Sequence, residues 1–274
     1  MIIATKKETF RILKEYNLIA KKGYGQNFLI NHETIKTIAS SANIKKDTLV
    51  IEIGPGLGAL TQELLNISNK VIAIEIDKNM VKVLNDNLNN KKLEIINEDF
   101  MKVDLHELID KYQEYNEVII VSNLPYYITS DILEKIISLK HPKIKKVVAM
   151  MQKEVGKKLL KKEDKIESYL KVLIDNYCDT KTVMYVSKND FEPRPKVDSI
   201  VLEFNINKDM YNLDYYFFEI IKDCLKNRRK TLLNTLPFEK ERILEVLNEL
   251  NTKDTIRIEE LNIKQLLNIL ERMK

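Results

Sequence analysis

The sequence contains no tryptophan, only two cysteines and only three histidines. Cys178 and Cys224 cannot build a disulfide framework, and no C-x-x-C spacing occurs, so a disulfide-stapled fold is not expected. His32, His106 and His141 are scattered along the chain, and with the two cysteines they suggest no zinc site; no metal is expected. Nothing places a Cys/His or Ser/His pair for nucleophilic catalysis. Long apolar runs are also missing: VVAMM (147–151) is typical, far below the roughly 20 residues that a membrane helix needs. The opening MIIATKKETF carries three charges and no apolar h-region, so a secretory leader is not expected. These absences point to a soluble, cytoplasmic protein that does not touch a membrane.

What remains is ample for a folded core. Hydrophobic residues make up 44% of the chain and charged residues 31%, which excludes wholesale disorder and a coiled-coil rod. A length of 274 residues suits one large domain, or a large one with a small one. Net charge is +4 but unevenly spread. Residues 140–171 hold eleven lysines against four acids, residues 1–24 hold six basic residues against two acids, and the stretch between them is acidic. Such runs are usually solvated helix faces. Two basic segments flanking an acidic middle nevertheless suit a polyanionic partner, because phosphate neutralisation is the general source of nucleic-acid affinity.

Residues 8–19 and 32–42 have helical apolar spacing. A regular alternation follows: strand-like 48–54 with helical 59–67, 71–77 with 78–88, 93–99 with a helix near 104–113, 117–123 with 130–139, and 146–151 with 153–162. Short apolar strands alternating with helices predict a doubly wound, mostly parallel sheet. Runs 180–187 and 197–206, joined by FEPRP (191–195), predict a closing hairpin. Beyond residue 206 only helical patterns remain. The expected division is residues 1–206, with a basic segment at 1–24, and a small helical domain at 207–274.

The loop EIGPGLGA (52–59) joins the first strand to its helix. Gly54 and Gly56 permit a tight turn and close approach of a ligand, and Gly54-x-Gly56-x-x-Ala59 meets the dinucleotide fingerprint. Glu75 lies 21 residues beyond Gly54, where a carboxylate accepts from both hydroxyls of a ribose, and Asp99 ends the third strand within reach of an adenine edge. A nucleoside site is therefore expected, and both NAD and S-adenosylmethionine carry the adenosine. No G-x-x-x-x-G-K-[ST] occurs, which disfavours a nucleotide triphosphatase. Asn123-Leu124-Pro125-Tyr126 at the end of the fourth strand favours methyl transfer to a planar exocyclic amine. The Asn123 side-chain carbonyl and the Leu124 backbone carbonyl can accept from the NH2, Pro125 stiffens the turn, and Tyr126 can stack on the base.

With these residues in place, the sequence resembles the rRNA adenine N6-dimethyltransferases, most closely their KsgA type, across nearly its whole length. The resemblance rests on GQNFL (25–29), EIGPGLGALT (52–61), IEID (74–77), Glu98-Asp99, NLPY (123–126), QKEV (152–155), FEPRPKVDS (191–199) and NRRKT (227–231). The family often has glycine before the asparagine of the tetrad; here Ser122 stands there. The resemblance implies S-adenosylmethionine as methyl donor, contacted by Asn27, Leu29, Gly54, Gly56, Glu75, Asp99 and Asn123. It implies catalysis by Asn123, Leu124, Pro125 and Tyr126, with Phe191 capping the flipped base opposite Tyr126. It also implies that two adjacent adenines near the 3′ end of 16S rRNA in the small ribosomal subunit are dimethylated by a monomer. Arg228, Arg229 and Lys230, with Lys153 and Lys157, are expected to meet rRNA phosphates through a domain that recognises RNA. The Erm type, acting on large-subunit rRNA, and a non-catalytic nucleic-acid-binding factor on the same scaffold are the alternatives.

Overall fold

The computed structural model describes the whole chain apart from residues 22, 24, 162–164 and 274. Its strands are β1 (Phe28–Leu29), β2 (Thr48–Ile53), β3 (Lys70–Ile74), β4 (Leu93–Ile96), β5 (Glu117–Asn123), β6 (Ile144–Gln152), β7 (Cys178–Val186), β8 (Phe191–Glu192) and β9 (Ser199–Ile206). The helices are α1 (Lys6–Glu15), α2 (His32–Ser41), α3 (Ala59–Ile67), α4 (Lys78–Asn87), α5 (Leu105–Asp110), α6 (Thr129–Ser138), α7 (Lys153–Leu160), α8 (Tyr169–Tyr177), α9 (Tyr215–Lys226), α10 (Lys240–Glu249) and α11 (Ile263–Met273). The end of the helix predicted over 153–162 falls at Lys162, outside the described residues, as does Lys22 of the first basic segment.

Seven strands form one sheet in the order β4-β3-β2-β5-β6-β9-β7. All neighbours are parallel except that β9 runs against both β6 and β7, so the predicted hairpin exists and its second strand lies inside the edge. In β2 all six residues are buried. Val50 joins a core with Ile35, Leu64, Val83 and Ile119, while its buried neighbours Leu49 and Ile51 face the other way. Both faces are thus covered, which is why these strands read as continuous apolar runs rather than alternating ones. The winding direction reverses between β2 and β5, and the strand ends there frame a crevice.

The chain divides into two compact units: Met1–Leu160 with Cys178–Asn207, and Lys161–Tyr177 with Lys208–Lys274. The second unit therefore also includes α8, a helix that the sequence pattern did not reveal. Within it the buried Asn176 anchors the chain after the sheet, donating to Asp209 at 2.8 Å and accepting from the Tyr211 amide at 2.9 Å. Tyr169 and Phe218 meet edge to face at 6.0 Å, and Ile166 donates to the Leu261 carbonyl at 2.8 Å.

Candidate active site at the switch point

A pocket opens at the carboxyl ends of β2, β3, β4 and β5. It is lined by Asn27, Phe28, Leu29, Gly54, Gly56, Glu75, Asp99, Asn123, Leu124, Pro125 and Tyr126, with Glu52 and Glu98. Ten of the proposed site residues, separated by almost a hundred positions in sequence, therefore share one cavity.

The glycine loop is shaped by its backbone. Gly54 and Gly56 both have positive φ, at 65° and 57°, a region that side chains with a Cβ rarely occupy. Glu75 secures the turn. One of its oxygens accepts from the Gly56 amide at 3.1 Å, the other from the Asp77 amide at 2.8 Å. Burial pushes the Glu75 carboxyl up, and the two amides pull part of that back. The strand ends at Ile74, so Glu75 begins the following turn rather than ending the strand. Asp99 likewise lies beyond β4, where its carboxylate caps a single helical turn by accepting from the Met101 amide at 2.9 Å.

The segment before β1 closes over this loop. Gln26 donates to Asp77 at 3.1 Å, and Lys21 pairs with the same carboxylate at 2.9 Å. Burial works against the charge of Asp77, but Lys21, the Asn79 amide and Gln26 together hold its carboxyl below the ordinary range. Asn27 donates from its side chain to the Gly25 carbonyl at 3.0 Å, and its own carbonyl accepts from Asn123 at 3.4 Å. Asn123 is thereby tied to the segment that covers the glycine loop. Pro125 follows within contact of Gly54: a Cβ there would lie 3.8 Å from its ring. The half-buried Tyr126 ring lines the pocket, and its hydroxyl meets Ser199 at 2.6 Å; burial raises its pKa.

Phe191 departs from expectation. It is 2% exposed, pairs with Leu29 across β1 and β8, and packs in the apolar core rather than lining the pocket. The expected RNA contacts fall in both units. Lys153 opens α7, 3.8 Å from Asp198 and 5.5 Å from the ring of the exposed Tyr185, and Lys157 is exposed on the same helix. Arg228, Arg229 and Lys230 are exposed where α9 ends.

Histidines that looked scattered in sequence do meet. Asp110 accepts from His141 at 3.3 Å and sits 3.0 Å from His106. His141 Nδ1 already accepts from the Lys143 amide at 3.2 Å, so its hydrogen lies on Nε2, facing Asp110. A metal on Nε2 would force that hydrogen onto Nδ1, against the Lys143 N–H. The trio is a hydrogen-bonded corner of the fold. The other residue that sequence reasoning passed over is Glu52, although one acid inside an otherwise apolar buried strand was a visible signal.

The sequence matches the family Ribosomal RNA adenine dimethylase over residues 17–274. It is 43% identical over 250 residues to a ribosomal RNA small subunit methyltransferase A of Mycoplasmopsis pulmonis, covering 89% of this chain and 94% of that one. It is 40% identical over 253 residues to the protein of that name from Mycoplasma capricolum, covering 90% and 94%. Among solved structures, a dimethyladenosine transferase from Plasmodium falciparum superposes with a TM-score of 0.69 at 26% identity, covering 89% of this chain and 96% of that one. The 23S rRNA methyltransferase ErmE gives 0.62 at 25% identity, covering 90% and 99%. The chain belongs to the ribosomal RNA adenine dimethylase family.

Proposed function

We propose that the protein transfers methyl groups from S-adenosylmethionine to N6 of two adjacent adenines near the 3′ end of small-subunit rRNA. The observation that carries the cofactor reading is the charge of the pocket. Glu52, Glu75, Glu98 and Asp99 line it, and no Lys, Arg or His does among the described residues. Such a wall repels the pyrophosphate of a dinucleotide and suits a ligand with a positive end. The small-subunit relatives, at 40–43% identity, favour 16S over 23S rRNA as substrate.

The cofactor, when bound, supplies a methyl group made electrophilic by its sulfonium. The residues of the chain then act by holding geometry. Glu75, fixed by two amides, keeps lone pairs for ribose hydroxyls; Asp99 offers its second oxygen to an adenine amine; Gly54 and Gly56 leave room beside them. Asn123 and the Leu124 carbonyl orient the target amine, and Tyr126, braced by Ser199, offers its ring to the base. In-line transfer needs this positioning more than a general base. Phosphate contacts fall to Lys153, Lys157, Arg228, Arg229 and Lys230, the enzyme works as a monomer, and an rRNA substrate places it in the cytoplasm.

The test is to incubate the protein with tritiated S-adenosylmethionine and unmodified small or large subunits, then map the labelled nucleotides. Label on adjacent adenines of small-subunit rRNA is expected. Label confined to the large subunit would shift the assignment to the Erm type. Asn123→Ala should lower single-turnover methylation by far more than subunit affinity, because its contacts strengthen as the amine becomes a nucleophile.

A further inference from the structure

Glu52 is 2% exposed, lines the cavity, and has a buried Oε2 with no hydrogen-bond partner. The Oε2 of an ionised carboxylate so placed has lost its water and gained no donor in exchange. Among the described residues, no Lys, Arg or His lines the cavity beside it. From α3 comes Thr61, whose hydroxyl is itself buried and poorly bonded and eases the burial only in part. From the end of β3 comes Glu75, a second negative charge, with Asp77 behind it already paired to Lys21. From β5 come Ser122, whose hydroxyl is used by the Ile53 carbonyl, and the neutral Asn123. Lys135 spends its donors on the carbonyls of Phe100, Met101 and Val103.

We propose that Glu52 carries a proton in the ligand-free site and loses it to solvent when a cationic ligand enters, so that cofactor binding releases one proton. The proposal rests on S-adenosylmethionine being that ligand. The balance is simple: the carboxyl O–H of Glu52 breaks, buffer takes the proton, and the new carboxylate faces the positive charge of the ligand. Burial, with Glu75 adding to it, pushes the Glu52 carboxyl up to about 8, so the group is protonated in the empty site at neutral pH. Glu75 keeps its two amide donors and is the poorer candidate for the same proton. Glu52 is a charge-matching residue: it lets the acid-lined cavity stand empty without a buried carboxylate that lacks donors, and adds its negative charge when a cation arrives.

Calorimetry of S-adenosylmethionine binding at about pH 6.5, where the ligand's ammonium is fully protonated, tests this in buffers of different ionisation enthalpy. For the wild-type protein the apparent enthalpy should vary with the buffer by a slope close to one proton released. Glu52→Gln, checked for an intact fold by its thermal transition, should show no slope at this pH. A wild-type slope near zero at pH 6.5, or an unchanged slope in Glu52→Gln, overturns the proposal. Equilibrium dialysis separates the two levels: binding without proton release overturns only the role of Glu52, whereas no binding overturns the cofactor reading and this inference with it.

Discussion

The Ser122 hydroxyl donates to the carbonyl oxygen of Ile53 at 2.5 Å, joining the ends of β5 and β2 immediately before Gly54. Ser122 is buried, so the bond is shielded from water. It fixes the strand end from which the glycine loop departs and the strand end that carries Asn123. The serine side chain thus adds a cross-strand tie that a glycine would lack. Ser122→Ala should lower stability by about 1–3 kcal/mol, since the Ile53 carbonyl loses a partner out of reach of water. Ser122→Gly should lose a further ~0.5–1 kcal/mol through backbone freedom. Urea denaturation followed by tyrosine fluorescence measures both, and an alanine variant as stable as wild type would show that the bond contributes nothing.

Glu75 serves two partners at once. It holds the Gly56 and Asp77 amides and offers what remains of its lone pairs to a ribose. Glu75→Ala should therefore weaken S-adenosylmethionine binding by about 1.5–3 kcal/mol, as expected for a lost charged acceptor. Glu75→Gln should not rescue it fully, because one end of an amide would point N–H at N–H. Calorimetric affinities that leave either variant equal to wild type would remove Glu75 from the ribose site.

Glu52 also makes a prediction without any ligand. Its pKa is raised in the folded protein, so between the unfolded value and about 8 the native state binds one proton more than the unfolded chain. Stability contributed by this group is therefore greatest at low pH and declines as pH rises through that window. The slope is about 1.4 kcal/mol per pH unit where the difference is a full proton. Glu52→Gln removes that slope. The stability difference between variant and wild type should move in favour of the variant from pH 5 to pH 8, read from thermal or urea transitions. Parallel profiles would mean that Glu52 is already ionised in the native protein.

The strand–helix alternation was legible because β2, β3 and β5 are buried almost throughout and the turns after them carry a glycine or a polar break. The Asn123 tetrad and the glycine loop were legible because each is contiguous. What escaped was whatever depends on distant pairing. Leu29 and Phe191 form a two-residue ladder across more than 160 positions, and nothing local to FEPRP signals that this pairing turns Phe191 inward. His106, Asp110 and His141 meet only because the end of α5 and the turn before β6 lie side by side. Helix α8 escaped for another reason. Residues Leu170 to Ile174, Asn176 and Tyr177 are all buried, Lys171 included, so it shows no polar stripe to mark its period.

Arg228, Arg229 and Lys230 raise the most direct question about RNA. An ordinary fate for such cations is to pair with nearby acids at little energetic gain. Asp223, the acid one turn back, is taken by Lys226 at 3.0 Å. The backbone of Arg228 and Lys230 closes the end of α9, donating to Leu225 and Asn227, while all three side chains stay exposed. No ion pair joins these three side chains among the described residues, so a phosphate contact would break no internal ion pair. Reversing all three to glutamate should weaken binding to small subunits. It should also flatten the plot of log affinity against log salt by roughly 0.7–0.9 per lost phosphate contact. Affinity for S-adenosylmethionine should not change, because none of the three lines the pocket. A salt series with the triple variant decides the matter: an unchanged slope with an intact fold would mean that the cluster does not meet RNA.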